Sequence, residues 1–112
     1  MAIQIGPTRS NVSFWFEEEI EAIIELVLDR HENGICICTY LAHCLATRVQ
    51  INNLTVVIYQ YPEPDFRFQM NHGNPTNVFY HVTQWQIPST NCIITVDLSF
   101  ENYNGVVDDD SE

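Results

Sequence analysis

The sequence predicts an α+β fold in which two N-terminal helices pack on an antiparallel sheet of three to four strands. Three observations lead to this prediction. Apolar residues recur at helical spacing in the first half of the chain, they alternate as in strands in the second half, and 112 residues suffice for a single core. We therefore assign residues 1–106 to one α+β domain and residues 107–112 to an acidic flexible tail.

The first helix is expected over residues 14 to about 31. Ser13 is a favourable N-cap residue, and Asn33-Gly34 is expected to stop the helix in the left-handed conformation. Residues 1–12 are expected to be extended or irregular, because Gly6-Pro7 interrupts regular structure. The apolar stripe of the helix repeats at three- and four-residue steps and comprises Phe16, Ile20, Ile23 and Val27.

A second helix and the strands of the sheet follow. The second helix is expected over about residues 37–49, where small alanines would let it lie close to the sheet. The strands are rich in β-branched and aromatic residues, and Pro62 to Asp65 end the first of them. The last two strands are expected to pair across a short loop. The four strands are expected at 54–61, 66–70, 78–86 and 92–100.

The charge of the chain is strongly acidic. Four arginines and no lysine face fifteen acidic residues, which gives a formal net charge of -11. Such a charge repels nucleic acid and anionic membranes and favours a basic protein as partner. One acidic cluster falls in the first turns of the predicted first helix, where it suits either the helix dipole or a binding surface. This cluster consists of Glu17, Glu18, Glu19 and Glu21.

The expected compartment is the cytoplasm, with thiols rather than disulfides. No apolar stretch reaches membrane-spanning length, and the N-terminus lacks the basic and apolar regions of a signal peptide. Four cysteines in such a chain do not indicate a disulfide framework. Cys36 and Cys38 are spaced too tightly for a zinc knuckle, so we expect no metal and no other cofactor.

Three residues have the chemistry of a thiol-nucleophile site. Cys38 falls near the start of the second helix, where the helix dipole favours a thiolate. His81 and Asp97 fall in the last two strands, whose faces can coincide if the strands pair. Asp97 would then fix the tautomer of His81, and His81 would accept the thiol proton. We call Cys38, His81 and Asp97 the predicted triad.

The sequence around the predicted triad resembles the transglutaminase-like branch of the papain-like cysteine-nucleophile fold. The resemblance covers about residues 34–99 and implies that Cys38 attacks, His81 transfers the proton and Asp97 orients His81. A glycine two positions before the nucleophile fits Cys36 better, so either cysteine remains a candidate nucleophile. The resemblance rests on residues 34–42, 77–82 and 94–99.

Three functions are compatible with these patterns. The first is a small thiol enzyme, a cysteine protease, amidase or acyltransferase, that acts on an amide or peptide bond of a peptide or protein substrate. The second is a non-catalytic acidic binding protein or inhibitor, with the charge of a DNA mimic, that presents the acidic cluster to a basic protein. The third is a structural or assembly subunit that forms a homo-oligomer.

Overall fold

The fold was determined as a computed structural model, which describes residues 2–31, 33–61, 66–88 and 91–103. The predicted tail at 107–112 and the predicted strand end at 62–65 lie outside the described residues. The elements follow in the order β1 (Ile3–Ser10), α1 (Phe14–Arg30), α2 (Gly34–Arg48), β2 (Ile51–Asn52), β3 (Leu54–Tyr61), β4 (Phe66–His72), β5 (Phe79–Ile87), β6 (Cys92–Phe100) and β7 (Asn102–Tyr103).

The α+β class is confirmed, but the sheet is larger than predicted. An antiparallel sheet of five strands has the order β1-β5-β6-β3-β4, and β2 and β7 form a separate two-stranded ribbon. The strand that the sequence analysis did not predict in the main sheet is β1. Within the described residues, the central position of this sheet belongs to β6, with β5 and β3 as its neighbours.

Strand β1 accommodates the Gly6-Pro7 pair through an irregularity in its pairing with β5. Ile5 pairs with Gln84, and the next paired residue is Arg9 with Val82, so β1 contains extra residues at this point. Gly6 has a φ of +75°, a conformation that residues with a side chain rarely adopt. The glycine-proline pair therefore bends the strand instead of ending it, as β-bulges do at sheet edges.

Helix α1 confirms the predicted stripe of buried residues. Phe16, Ile20, Ile23 and Val27 are all buried. Ser13 occupies the N-cap position with extended backbone, but its side chain makes no capping hydrogen bond. At the other end, the His31 backbone N–H donates to the carbonyl oxygen of Val27 at 3.0 Å.

Helix α2 begins three residues earlier than predicted because Asn33 is its N-cap. The Asn33 backbone is extended, and its side-chain oxygen accepts the N–H groups of Ile35 and Cys36 at 2.8 and 3.3 Å. The prediction of a left-handed stop at Asn33-Gly34 was therefore wrong. Asn33 starts the following helix, and the connection between the two helices is correspondingly short.

The core lies between the two helices and one face of the sheet. The alternating residues of β6 that point to this face are buried, and those on the other face are only partly buried. Aromatic rings join α1, β6 and β7 at one end of the core, where the Phe16 and Tyr103 rings stack with centroids 3.8 Å apart. The inward residues of β6 are Cys92, Ile94, Val96, Leu98 and Phe100.

Candidate functional site

Cys38, the predicted nucleophile, is a core residue. Its side chain is buried, and Sγ lies 3.6 Å from the carbonyl oxygen of Val56 on β3. Burial disfavours the thiolate and raises the pKa of Cys38 to about 11. Because Cys38 is the fifth residue of α2, it also lies beyond the first turn, where the helix dipole acts most strongly. At neutral pH, Cys38 is therefore a protonated thiol.

Cys36, the alternative nucleophile, lies in the first turn of α2. It is partly exposed, and its backbone N–H donates to the Asn33 side chain at 3.3 Å. Among the described residues, no histidine hydrogen-bonds the thiol of Cys36 or of Cys38. The two cysteines therefore differ in exposure, and in the described part of the chain neither has a base within hydrogen-bond reach.

His81 is fully buried and faces α1 rather than α2. Its Nδ1 lies 2.9 Å from the Ser10 hydroxyl oxygen on β1. Its Nε2 lies 3.3 Å from Glu21 Oε2 on α1, without the alignment of a hydrogen bond. Burial lowers the pKa of His81, and the charge of Glu17 opposes this effect. The carboxylate next to His81 thus comes from the acidic cluster, and Asp97 is not its neighbour.

Asp97 lies on the opposite face of the sheet from His81. In the pairing of β5 with β6, His81 is opposite Leu98 and Val82 is opposite Asp97. Successive side chains of a strand point to opposite faces, so this register separates His81 from Asp97. Burial raises the pKa of Asp97, while the charges of Arg9 and Arg67 lower it. The structure does not bring the predicted triad together.

A groove lined by carboxylates runs between β1 and α1, and we call it the acidic groove. It has a volume of about 340 Å³. Glu18, Glu21 and Glu25 line it from successive turns of α1, and Gln4 donates to Glu21 Oε2 at 3.5 Å. Burial raises the pKa of Glu21, and repulsion from Glu17 and Glu18 adds to this effect. The residues of the acidic groove are Ala2, Gln4, Glu18, Glu21, Ala22, Glu25 and Trp85.

A second hollow of about 370 Å³ lies on the sheet face that carries Asp97. Arg9, Tyr80 and Ser99 line it beside Asp97. Asp97 stands on the central strand between Val82 and Val57, so its direct neighbours across the sheet are apolar. The charged groups on this face therefore include both signs, unlike those of the acidic groove.

The sequence did not identify Ser10 or Gln4 as neighbours of functional side chains. Ser10 and Gln4 belong to β1, a strand that was not predicted because the Gly6-Pro7 pair was expected to interrupt regular structure. A usable signal was the alternation of Ile3 and Ile5 with polar residues at the N-terminus, which is typical of a strand. The acidic cluster was recognised, but its approach to His81 depends on the pairing of β1 with β5.

No group of three or more histidine, cysteine, aspartate or glutamate side chains in the described part of the chain is arranged to hold a metal ion. None of the described helices is both long and apolar enough to cross a membrane. Comparison with known proteins gave no matching family model, no matching curated protein and no matching solved structure.

Proposed function

We propose that this protein is a non-catalytic acidic binding protein that docks a basic protein surface through α1. The observation that carries the proposal is the distribution of charge along this helix. Arg30, at the last position of α1, is the only basic residue of the helix. Its apolar face is buried, and its acidic side chains are exposed or half-buried, although one oxygen of Glu19 is buried. The acidic residues of α1 are Glu17, Glu18, Glu19, Glu21, Glu25 and Asp29.

Exposed apolar side chains on the same helix add to this support. Phe14 and Trp15 at the start of α1 are 73% and 54% exposed, and Leu26 is 37% exposed. Aromatic anchors beside charged residues are typical of protein interfaces, where a few such anchors contribute most of the affinity. The carboxylates would steer a basic partner towards α1, and Trp15 would contribute contact after docking.

The thiol-enzyme hypothesis draws less support from the geometry. A catalytic thiol needs an available thiolate and a base within hydrogen-bond reach, whereas burial keeps Cys38 protonated. The neighbours of the His81 ring are Ser10 and Glu21, and both belong to the N-terminal part of the fold. We therefore favour the binding function, which needs no thiol.

The test is the binding of a lysine- and arginine-rich peptide, measured by titration calorimetry over a range of salt concentrations. We expect the affinity to fall steeply between about 0.05 M and about 0.5 M NaCl, because salt screens charges on this length scale. Binding that is unaffected by salt would contradict the proposal. Scattering measurements on the free protein would detect a defined oligomer, which would favour the assembly function instead.

Two sets of variants locate the binding surface. E17Q/E18Q/E19Q removes three charges from α1, whereas D108N/D109N/D110N makes the same change in net charge in the acidic run near the C-terminus. We expect at least about tenfold weaker binding for the α1 variant and a clearly smaller effect for the control. W15A, which changes no charge, should also weaken binding about tenfold. Equal losses in the two charge variants would contradict docking through α1.

A further inference from the structure

The acidic groove has an unbalanced charge. Glu18, Glu21 and Glu25 lie at three- and four-residue steps on α1, so each is a neighbour of the next along the helix surface. No arginine is among the residues that line the groove. Burial is the main cause of the raised pKa of Glu21. Like charges at these spacings also repel each other, and the charges of Glu17 and Glu18 raise this pKa further. A cation inside the groove would remove this repulsion.

A second observation comes from His81, which lies next to Glu21, one of the residues that line the groove. The side chain of His81 is 0% exposed, and its Nε2 atom has no hydrogen-bond partner among the described residues while lying 3.3 Å from Glu21 Oε2. Ser10 holds the other ring nitrogen at 2.9 Å, which fixes the direction of the ring. A buried polar nitrogen without a partner is costly in a protein interior. His81 is thus directed at the central carboxylate of the groove.

The contacts of Glu21 leave half of its carboxylate available. Both His81 Nε2 and the Gln4 amide approach Oε2, at 3.3 and 3.5 Å. Oε1 takes no hydrogen bond from the described residues. The groove can therefore offer a ligand the free oxygen of Glu21 together with the carboxylates of Glu18 and Glu25, which lie on either side of it along α1.

We propose that the acidic groove receives one arginine side chain of the basic partner, with Glu21 as its central acceptor. This inference rests on the proposed function and adds the chemical group that is recognised. A guanidinium is planar and presents five N–H donors, so it can bond two carboxylates on consecutive turns at once, which a lysine ammonium cannot match in geometry. The groove volume of about 340 Å³ accommodates such a side chain. Trp85 lines the same groove beside the carboxylates.

The test is a nuclear magnetic resonance titration of the full chain with N-acetyl-arginine amide. The citrulline derivative, which has nearly the same shape but no charge, is the control ligand, and the lysine derivative measures the preference for a guanidinium. We expect shifts of the Gln4 and Ala22 amides and of the Trp85 indole N–H with the arginine derivative, and weaker binding of the lysine derivative. The Glu21 carboxyl should titrate at lower pH when the arginine derivative is bound.

Variants keep this test separate from that of the proposed function. E21Q should reduce the affinity for the arginine derivative at least about tenfold, whereas E101Q, outside the groove, should leave it unchanged. If the citrulline derivative shifts the same resonances, or if E21Q has no effect, the groove does not receive arginine. If the basic peptide still binds in a salt-dependent manner that requires Glu17 to Glu19, only the groove assignment fails. If neither ligand binds, both proposals fail.

Discussion

The four cysteines lie in two kinds of environment. Cys38 and Cys92 are buried, whereas Cys36 and Cys44 are partly exposed. Alkylation needs both access and a thiolate, and Cys38 has neither at neutral pH because burial raises its pKa to about 11. The reactivity of Cys38 therefore distinguishes a core residue from an activated nucleophile.

We expect iodoacetamide at about pH 7.5 to label Cys36 and Cys44 in the native protein and to leave Cys38 unmodified. Peptide mass spectrometry after timed quenching measures the rate at each cysteine. The same reaction in concentrated urea is the control, in which all four cysteines should react. Native labelling of Cys38 that is faster than labelling of Cys36 would contradict its assignment as an inert core thiol.

The second residue-scale prediction concerns His81 and acid. Burial lowers the pKa of His81, so the folded protein holds a neutral imidazole, whereas the unfolded chain takes up a proton near the ordinary value of 6.5. The stabilising contribution of His81 is therefore present above pH 6.5 and is lost as the pH falls towards the lowered pKa. The raised pKa values of Glu21 and Asp97 act in the opposite direction, because they favour protonation in the folded state.

Urea unfolding at about pH 7.5 and about pH 5.5 measures this dependence. We expect the wild-type free energy of unfolding to be lower at the lower pH. H81N, which keeps a polar group near Ser10, should lose less stability between the two pH values than the wild type. H31N replaces a histidine that stacks on Tyr40 near the surface and should keep the wild-type dependence. Equal pH dependence in H81N and the wild type would contradict the role of His81.

At the scale of elements, the two helices begin in different ways. The Asn33 side chain accepts two backbone N–H groups of α2, whereas Ser13 accepts none from α1, and its buried Oγ has no partner within the described ranges. We expect N33A to lower the free energy of unfolding by about 1 kcal/mol, and S13A to change it much less. Chemical denaturation of both variants measures the difference. A larger loss in S13A than in N33A would contradict the capping assignment.

Helix α1 and the strands β3, β5 and β6 were predicted nearly to the residue, because their hydrophobic periods are regular. Strand β1 was not predicted, since its bulge is stable only while β5 supplies hydrogen bonds alongside it. Strands β2 and β7 have two residues each and carry no period at all. Elements that depend on a distant partner were therefore not predicted from the sequence.

The prediction of the candidate site was limited in the same way, because it depends on the register of the strands. His81, Thr83 and Trp85 share the buried face of β5, whereas Asp97 lies on the other face of the sheet, so the faces of His81 and Asp97 do not coincide as the sequence allowed. Which residues of β5 and β6 share a face depends on the register of their pairing. The apolar alternation of β6 sends Asp97 away from the helices. The alternation of β6 could be recognised in the sequence. The approach of Glu21 to His81 could not be predicted without the fold.

At the scale of the whole molecule, the two sides differ in character. The described side chains of α1 give one side a nearly uniform negative charge, whereas the open sheet face carries Arg9 and Arg67 around Asp97. A net charge of -11 is thus unevenly distributed, and a basic partner approaching from solution meets the strongest attraction at α1. Both proposed binding features lie on this side.

The pairing of the first strand with β5 has a consequence for the order of assembly during synthesis. Ser10 and His81 are in contact although they are 71 positions apart in the chain, and closing such a long loop slows folding. Strand β1 leaves the ribosome before β5 and cannot join the sheet until β5 has been made. The acidic groove draws its lining from β1, α1 and β5. A nascent chain therefore displays the carboxylates of α1 well before it can form the groove between them and β1.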